Sequence, residues 1–205
     1  SFKFRSGEFV MIGLLDSDDK PILRAYSICS PSWSEELEFY SIIVKDGPLT
    51  SKLKNIKIGD DIIMMPKSTG TLVLDALKPG KRLFLLSSGT GFAPFAALIR
   101  EPETYEKFES IIVTHTCRMV PELSYSKNII QECMNDELVK EFINNKLLSY
   151  HSTTRDDYFF NGRITDLISS GKLFNDLKIN SISSHDRFMF CGSMGLNNDL
   201  KKIMM

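Results

Sequence analysis

Lys78-Pro79-Gly80-Lys81-Arg82-Leu83-Phe84-Leu85-Leu86-Ser87-Ser88-Gly89-Thr90-Gly91-Phe92-Ala93-Pro94 is the stretch on which the fold turns. Lys78-Pro79-Gly80 is a breaker, because proline and glycine both interrupt regular structure. Arg82 to Leu86 is a buried-type strand, with the apolar run Leu83-Phe-Leu-Leu86 after its arginine. Two glycines follow at once, and a helical pattern begins near Phe95. A buried strand, a glycine turn and a helix in that order read as the first unit of a parallel α/β sheet.

Downstream, the alternation continues. Ser110 to His115 reads as a strand, Ser124 to Asn144 as one long helical stretch, and Leu147 to His151 as a strand. Ile164 to Ser170 reads as a helix, Arg187 to Cys191 as a strand, and Leu196 to Ile203 as a helix. This pattern predicts a doubly wound parallel sheet over residues 79–205, with ligands at the carboxyl ends of its strands. Upstream, the period changes. Glu8–Leu15, Ile22–Cys29, Leu37–Val44, Asp61–Met65 and Thr71–Leu74 are short apolar segments separated by Gly, Pro and Asp. They predict a small antiparallel β-barrel over residues 1–78, with one short helix at Leu49–Lys54.

The 205 residues are 42% hydrophobic and 25% charged, with a formal net charge of -1. That balance argues against a nucleic-acid binder, which needs a basic excess. No apolar run approaches the roughly eighteen residues of a membrane span. Cys29, Cys117, Cys133 and Cys191 are far apart and form no CxxC pair, so neither a metal site nor a disulfide framework is expected, and a reducing cytoplasm is the default compartment. His115, His151 and His185 lack metal-ligand spacing as well.

Four segments carry chemistry. In Ser87-Ser-Gly-Thr-Gly-Phe-Ala-Pro94, Gly89 and Gly91 allow backbone amides to approach a phosphate, with Thr90 between them. Pro94 stands where the third glycine of the dinucleotide fingerprint would fall. In Arg24-Ala25-Tyr26-Ser27, strand alternation puts Arg24 and Tyr26 on one face and Ala25 and Ser27 on the other. Arginine suits a pyrophosphate and tyrosine a planar ring. Thr114-His-Thr-Cys117-Arg118, with Thr154-Arg155 and Arg163, brings three arginines to the expected ligand edge. An acidic residue after the second strand would favour NAD, whereas Arg118 stands there. Cys191-Gly192-Ser193-Met194 follows the last strand.

Together with Gly47-Pro-Leu49-Thr50-Ser51, these segments resemble the ferredoxin–NADP+ reductase superfamily, and within it the bacterial ferredoxin (flavodoxin)–NADP+ reductases. FRSGEFVMIGLL, LEFYSIIVKDGPLTSKL, IGDDI, GTLVLDAL, THTCR, NGRIT and CGS carry the likeness along the whole chain. The resemblance implies FAD and NADP(H) as cofactors, with hydride passing from NADPH to FAD and single electrons then passing to ferredoxin or flavodoxin. It implies Arg24 on the pyrophosphate, Tyr26 against the flavin ring and Ser27 near its reacting nitrogen. Ser41, Ile42 and Ile43 would run along the ring, Leu49, Thr50 and Ser51 would form the phosphate loop, and Thr90 would reach in from the second domain. Cys117, Arg118, Thr154, Arg155 and Arg163 would contact NADP. Cys191, Gly192 and Met194 would lie beside the nicotinamide, with Cys191 orienting rather than attacking. Lys45, Lys52, Lys54, Lys57 and Lys67 offer a face for an acidic partner, and a monomer is expected. The family's first strand would lie mostly before Ser1 and its C-terminal segment beyond Met205, so both termini read as truncated. A flavin reductase, the reductase component of an oxygenase and a flavin-binding sensor remain open alternatives.

Overall fold

The computed structural model describes residues 2–204. It contains two sheets. The first is antiparallel, with β1 (Phe9–Leu15) between β2 (Pro21–Ser27) and β3 (Ile63–Met64). Val10 lies opposite Tyr26 and Ile12 opposite Arg24. Val10, Ile12 and Ile28 form its small core, with Tyr26, Phe39 and Met64 packed around them.

This half is less regular than the apolar pattern predicts. Leu37–Val44 is not a strand: it touches the sheet through a single bridge, Ile28 to Phe39. Its far end is held by a side chain instead, where the Val44 amide donates to the Thr50 hydroxyl and that hydroxyl donates to the Val44 carbonyl. Thr71–Leu74 is not a strand either, and runs into a single 3₁₀ turn at Leu74–Ala76. Alternating apolar residues mark a buried face, but a strand also needs a partner edge for its amides, and these two segments have almost none. The short helix α1 (Thr50–Leu53) lies where expected.

The second sheet is parallel, with the order β6-β5-β4-β7. Its strands are β4 (Arg82–Ser88), β5 (Ser110–Cys117), β6 (Leu147–Thr153) and β7 (Asp186–Cys191). One face buries Leu83, Leu85, Ile111 and Val113 under α2 (Ala93–Leu98) and α4 (Ser124–Asn135). The other buries Phe84, Leu86, Ile112 and Tyr150 under α6 (Ile164–Ser169), α7 (Lys172–Leu177) and α8 (Met194–Met204). Cores on both faces explain why β4 and β5 read as continuous apolar runs.

The stretch Ser124–Asn144 is two helices rather than one. After α4, Asp136 takes an extended conformation and its carboxylate accepts hydrogen bonds from the Leu138 and Val139 amides, which restarts the chain as α5 (Lys140–Ile143). α2 stops before Pro102, which opens α3 (Pro102–Lys107), where proline suits the first helical position.

The two halves are braced against each other. Arg100, at the end of α2, donates to the Cys29 carbonyl at 2.6 Å and to the Glu38 carboxylate at 2.8 Å. The Tyr125 hydroxyl donates to the other Glu38 oxygen at 2.6 Å, and its ring stacks on Tyr40 with centroids 4.2 Å apart. Glu101 receives the hydroxyls of Ser6 and Ser32.

Candidate functional site

The strand order creates the site. Chain connectivity runs from β4 outward to β5 and β6, then jumps across to β7 on the other side of β4. Connections leaving β4 and β7 therefore diverge at their carboxyl ends, and such a switch point opens a crevice. The turn after β4, Gly89–Phe92, and the turn after β7, at Gly192, flank that crevice.

Gly91 is what lets the two turns touch. A Cβ there would collide with the Cys191 carbonyl and would sit 2.7 Å from the Gly192 amide nitrogen. Gly89 has the opposite surroundings: its φ is +53°, and an added Cβ would meet nothing within 4 Å. One glycine packs the loop against β7, and the other presents open backbone to the groove. His115 fixes the loop from beneath, because its Nε2 lies 2.8 Å from the Gly89 carbonyl and its Nδ1 lies 2.7 Å from the Ser126 hydroxyl. Burial pushes this imidazole down to about pH 4, so it is neutral at physiological pH.

The crevice is part of a groove of about 1240 Å³ that runs between the two sheets. That exceeds the roughly 300–1,000 Å³ of a typical single-ligand site. Its lining joins Ala25, Tyr26 and Ser27 of β2, Ser41 and Ile42 of the irregular segment and Thr50 of α1 to Gly89, Thr90 and Gly91. Cys117, Arg118, Thr154, Arg163, Cys191 and Gly192 complete the predicted residues that line it. Segments separated by more than a hundred residues thus share one cleft.

Six predicted residues lie outside that lining. Arg24 is exposed, and its guanidinium turns back to donate to the Leu23 carbonyl. Leu49 is buried in the core, Met194 is exposed, and Ile43, Ser51 and Arg155 sit beyond the rim. The groove also includes residues that the motifs do not mark, above all Tyr40, Glu122 and Asp199. Tyr40 is half-buried beside the predicted Ser41, and an aromatic next to a ring-binding segment is a usable signal. Glu122 and Asp199 sit on elements whose facing only the packing reveals.

The chemistry along the groove changes from end to end. Near the antiparallel sheet it is apolar and aromatic: Ile42 lines it and is 57% exposed, Ile43 is 65% exposed outside the lining, and the Ser41 hydroxyl lies 3.4 Å from the Tyr26 hydroxyl. At the parallel sheet it is cationic. Arg118 and Arg163 line it and Arg155 lies outside the lining next to Thr154; all three are exposed, and among the described residues none joins an ion pair. Between them lies Cys191, whose thiol is pushed up from its ordinary value by burial and stays protonated at neutral pH. That argues for packing rather than nucleophilic attack.

A relative from Rhodobacter capsulatus, a flavodoxin/ferredoxin–NADP reductase, is 56% identical over all 205 residues, which span 76% of its own length. The chain belongs to the flavodoxin/ferredoxin–NADP reductase family. An Azotobacter vinelandii ferredoxin–NADP reductase is 45% identical over the whole chain, which covers 79% of it. Among solved structures, a ferredoxin NADP+ reductase from Neisseria gonorrhoeae with bound FAD and NADP superposes with a TM-score of 0.88, covering 99% of this chain and 79% of that one at 24% identity. That likeness concerns the fold, and it agrees with an antiparallel sheet followed by a parallel one. No family model matches the chain. Among the described residues, no helix is long and apolar enough to cross a membrane.

Proposed function

We propose that this family member binds FAD and NADP(H) in the inter-sheet groove and moves electrons between NADPH and a ferredoxin or flavodoxin. Residues 1–78 serve the flavin in this reading and residues 79–205 the coenzyme. The observation that carries it is the groove itself, where an aromatic and apolar end meets a cationic end across a glycine crevice. These residues fit the two groups. Open backbone at Gly89 suits a close approach by a phosphate-bearing ligand, and exposed Ile42 and Ile43 suit a flat ring.

When bound, FAD accepts a hydride from NADPH and releases the two electrons singly to the protein acceptor. The residues supply position. Tyr26 offers an aromatic face, and Ser27 a hydroxyl beside it. Ser41, Ile42 and Ile43 extend the apolar edge, while Thr50 lines the flavin phosphate end; Arg24, Leu49 and Ser51 flank that end, and Arg24 would have to release the Leu23 carbonyl to reach a phosphate. Thr90 reaches in from the second sheet. Cys191 and Gly192 hold the nicotinamide side against the Gly91 turn, with Met194 just beyond. Cys117, Thr154 and the three arginines receive the adenosine end, where each charge-assisted hydrogen bond to a 2′-phosphate contributes about 1.5–3 kcal/mol. No general acid or base is required, so orientation is the protein's main contribution.

Lys45, Lys54, Lys57 and Lys67 are exposed on the flavin half, Lys52 is partly buried beside them, and together they suit an acidic partner protein. Such docking should slow as salt rises. A monomer in a reducing cytoplasm fits this reading, in which the four cysteines stay free.

Rapid mixing of the FAD-loaded protein with NADPH tests the proposal. Loss of the oxidised flavin absorbance is expected, faster with NADPH than with NADH, followed by cytochrome c reduction that depends on added ferredoxin or flavodoxin. A flavin that stays oxidised would exclude the reductase reading.

A further inference from the structure

We propose that Asp156 is a positioning residue for coenzyme selection: its carboxylate ties together the two loops that carry Arg118 and Arg155. The inference rests on the NADP reading above and names the device that sets the arginine pair in place.

Arg118 follows β5 and Arg155 follows β6, neighbouring strands whose ladder ends at Cys117 opposite Thr153. Beyond the ladder the two loops stay together. The Thr154 amide donates to the Cys117 carbonyl at 3.0 Å, and the amides of Arg155 and Asp156 both donate to the Arg118 carbonyl, at 3.0 and 3.3 Å. The shortest of the bonds between the loops comes from a side chain: the Val120 amide donates to the Asp156 carboxylate at 2.7 Å. Asp156 is itself anchored, since the Thr153 hydroxyl donates to its carbonyl at 2.8 Å. Glu122 braces the first loop internally by accepting hydrogen bonds from the Arg118 and Met119 amides, both at 2.8 Å.

Two carboxylates on the loops that carry Arg118 and Arg155 are the wrong charge for an anion site unless they do something else. Neither pairs with a guanidinium; both are occupied by backbone amides. Their effect is to hold the backbone from which the arginines project, leaving the guanidinium groups free. Long side chains on a fixed backbone lose less freedom on binding than the same side chains on a mobile loop.

Position and charge make opposite predictions, which makes the claim testable. The FAD-loaded protein, with its flavin left oxidised, would be titrated calorimetrically with 2′,5′-ADP and with 5′-ADP. The wild type should prefer 2′,5′-ADP. Asp156→Ala should bind 2′,5′-ADP about tenfold or more weakly, as expected when one charge-assisted contact is lost, with little change for 5′-ADP. Charge removal alone would tighten it. Val120→Pro removes the donor of the same bond and leaves the Asp156 charge in place. Met119 has ψ of 150°, which suits a residue before proline. It should show the same selective loss, while Asp156→Asn, whose amide oxygen still accepts but carries no charge, should bind 2′,5′-ADP as well as the wild type or more tightly. Unchanged or tighter 2′,5′-ADP binding by Asp156→Ala, or by Val120→Pro if the first variant does not fold, overturns the inference. If the wild type itself shows no preference, the NADP reading fails first and takes the inference with it.

Discussion

Substituting Gly91 by alanine should separate the two tasks that glycines perform in the turn after β4. The added carbon would lie 2.7 Å from the Gly192 nitrogen, well over half an ångström inside ordinary contact, and closer still to the Cys191 carbonyl. Both obstacles are backbone, so neither can swing aside as a flexible side chain would. Overpacking of this kind costs about 1–3 kcal/mol, and a chain of this size loses roughly 2–4 °C of Tm per kcal/mol. A fall of about 2–12 °C is therefore expected in a thermal melt. The groove wall must also move by about an ångström, which for oriented reactants corresponds to a roughly hundredfold loss of rate. Displacing Cys191 should in addition expose its thiol, so alkylation at neutral pH should be faster than in the wild type. Gly89→Ala is the control: nothing crowds the added carbon, but the φ of +53° makes the backbone strained, at about 1–2 kcal/mol. It should lower Tm while leaving Cys191 alkylation unchanged. A Gly91→Ala variant with native Tm, native kcat and native thiol reactivity would refute the packing argument.

Acid should weaken the fold through its buried histidines. Burial pushes His115 and His151 down from the ordinary 6.5 to about 4, and His115 adds repulsion for His151. The unfolded chain then binds more protons between those values, so the contribution is fully present above about pH 6.5 and is lost as pH falls toward 4, roughly 3 kcal/mol per histidine. Urea midpoints across that range should fall less in a His115→Gln, His151→Gln double variant. Arg100→Ala should cost about 3 kcal/mol, because it removes the bonds to Cys29 and Glu38 that brace the two halves; a Tm unchanged within a degree or so would show the brace to be idle. Asp186 is almost fully buried, and its carboxylate takes two hydrogen bonds from Arg82. Burial works against its ionised form, yet Arg82 and the Ser183 amide hold its pKa below the usual carboxylate range, so its contribution is present at neutral pH and is lost in acid. Asp186→Ala should destabilise the parallel sheet by about 3–5 kcal/mol, read from equilibrium unfolding.

Most of the parallel half was legible because its signals are local. A strand buried on both faces must be apolar throughout, as Leu83–Leu86 is, and the glycine turn after it is visible residue by residue. The antiparallel half was less so. Leu37–Val44 has the alternation of a strand, and nothing within it reveals that only Phe39 finds a partner. The break at Asp136 was also hidden, since its carboxylate caps the next segment through amides that any sequence possesses.

The chain's own residues determined the candidate cofactor segments and their order, because glycine turns, the Arg24–Ser27 stretch and the arginines after β5 and β6 each state their chemistry locally. Only the tertiary structure decided which of them meet. Ala25–Ser27, Gly89–Gly91, Arg118 and Cys191–Gly192 share one groove because the parallel strands reverse their order between β4 and β7. The roles of Gly91, His115 and Asp156 were likewise invisible in isolation. Each depends on a backbone atom contributed by a distant segment, and such an atom leaves no mark on the sequence.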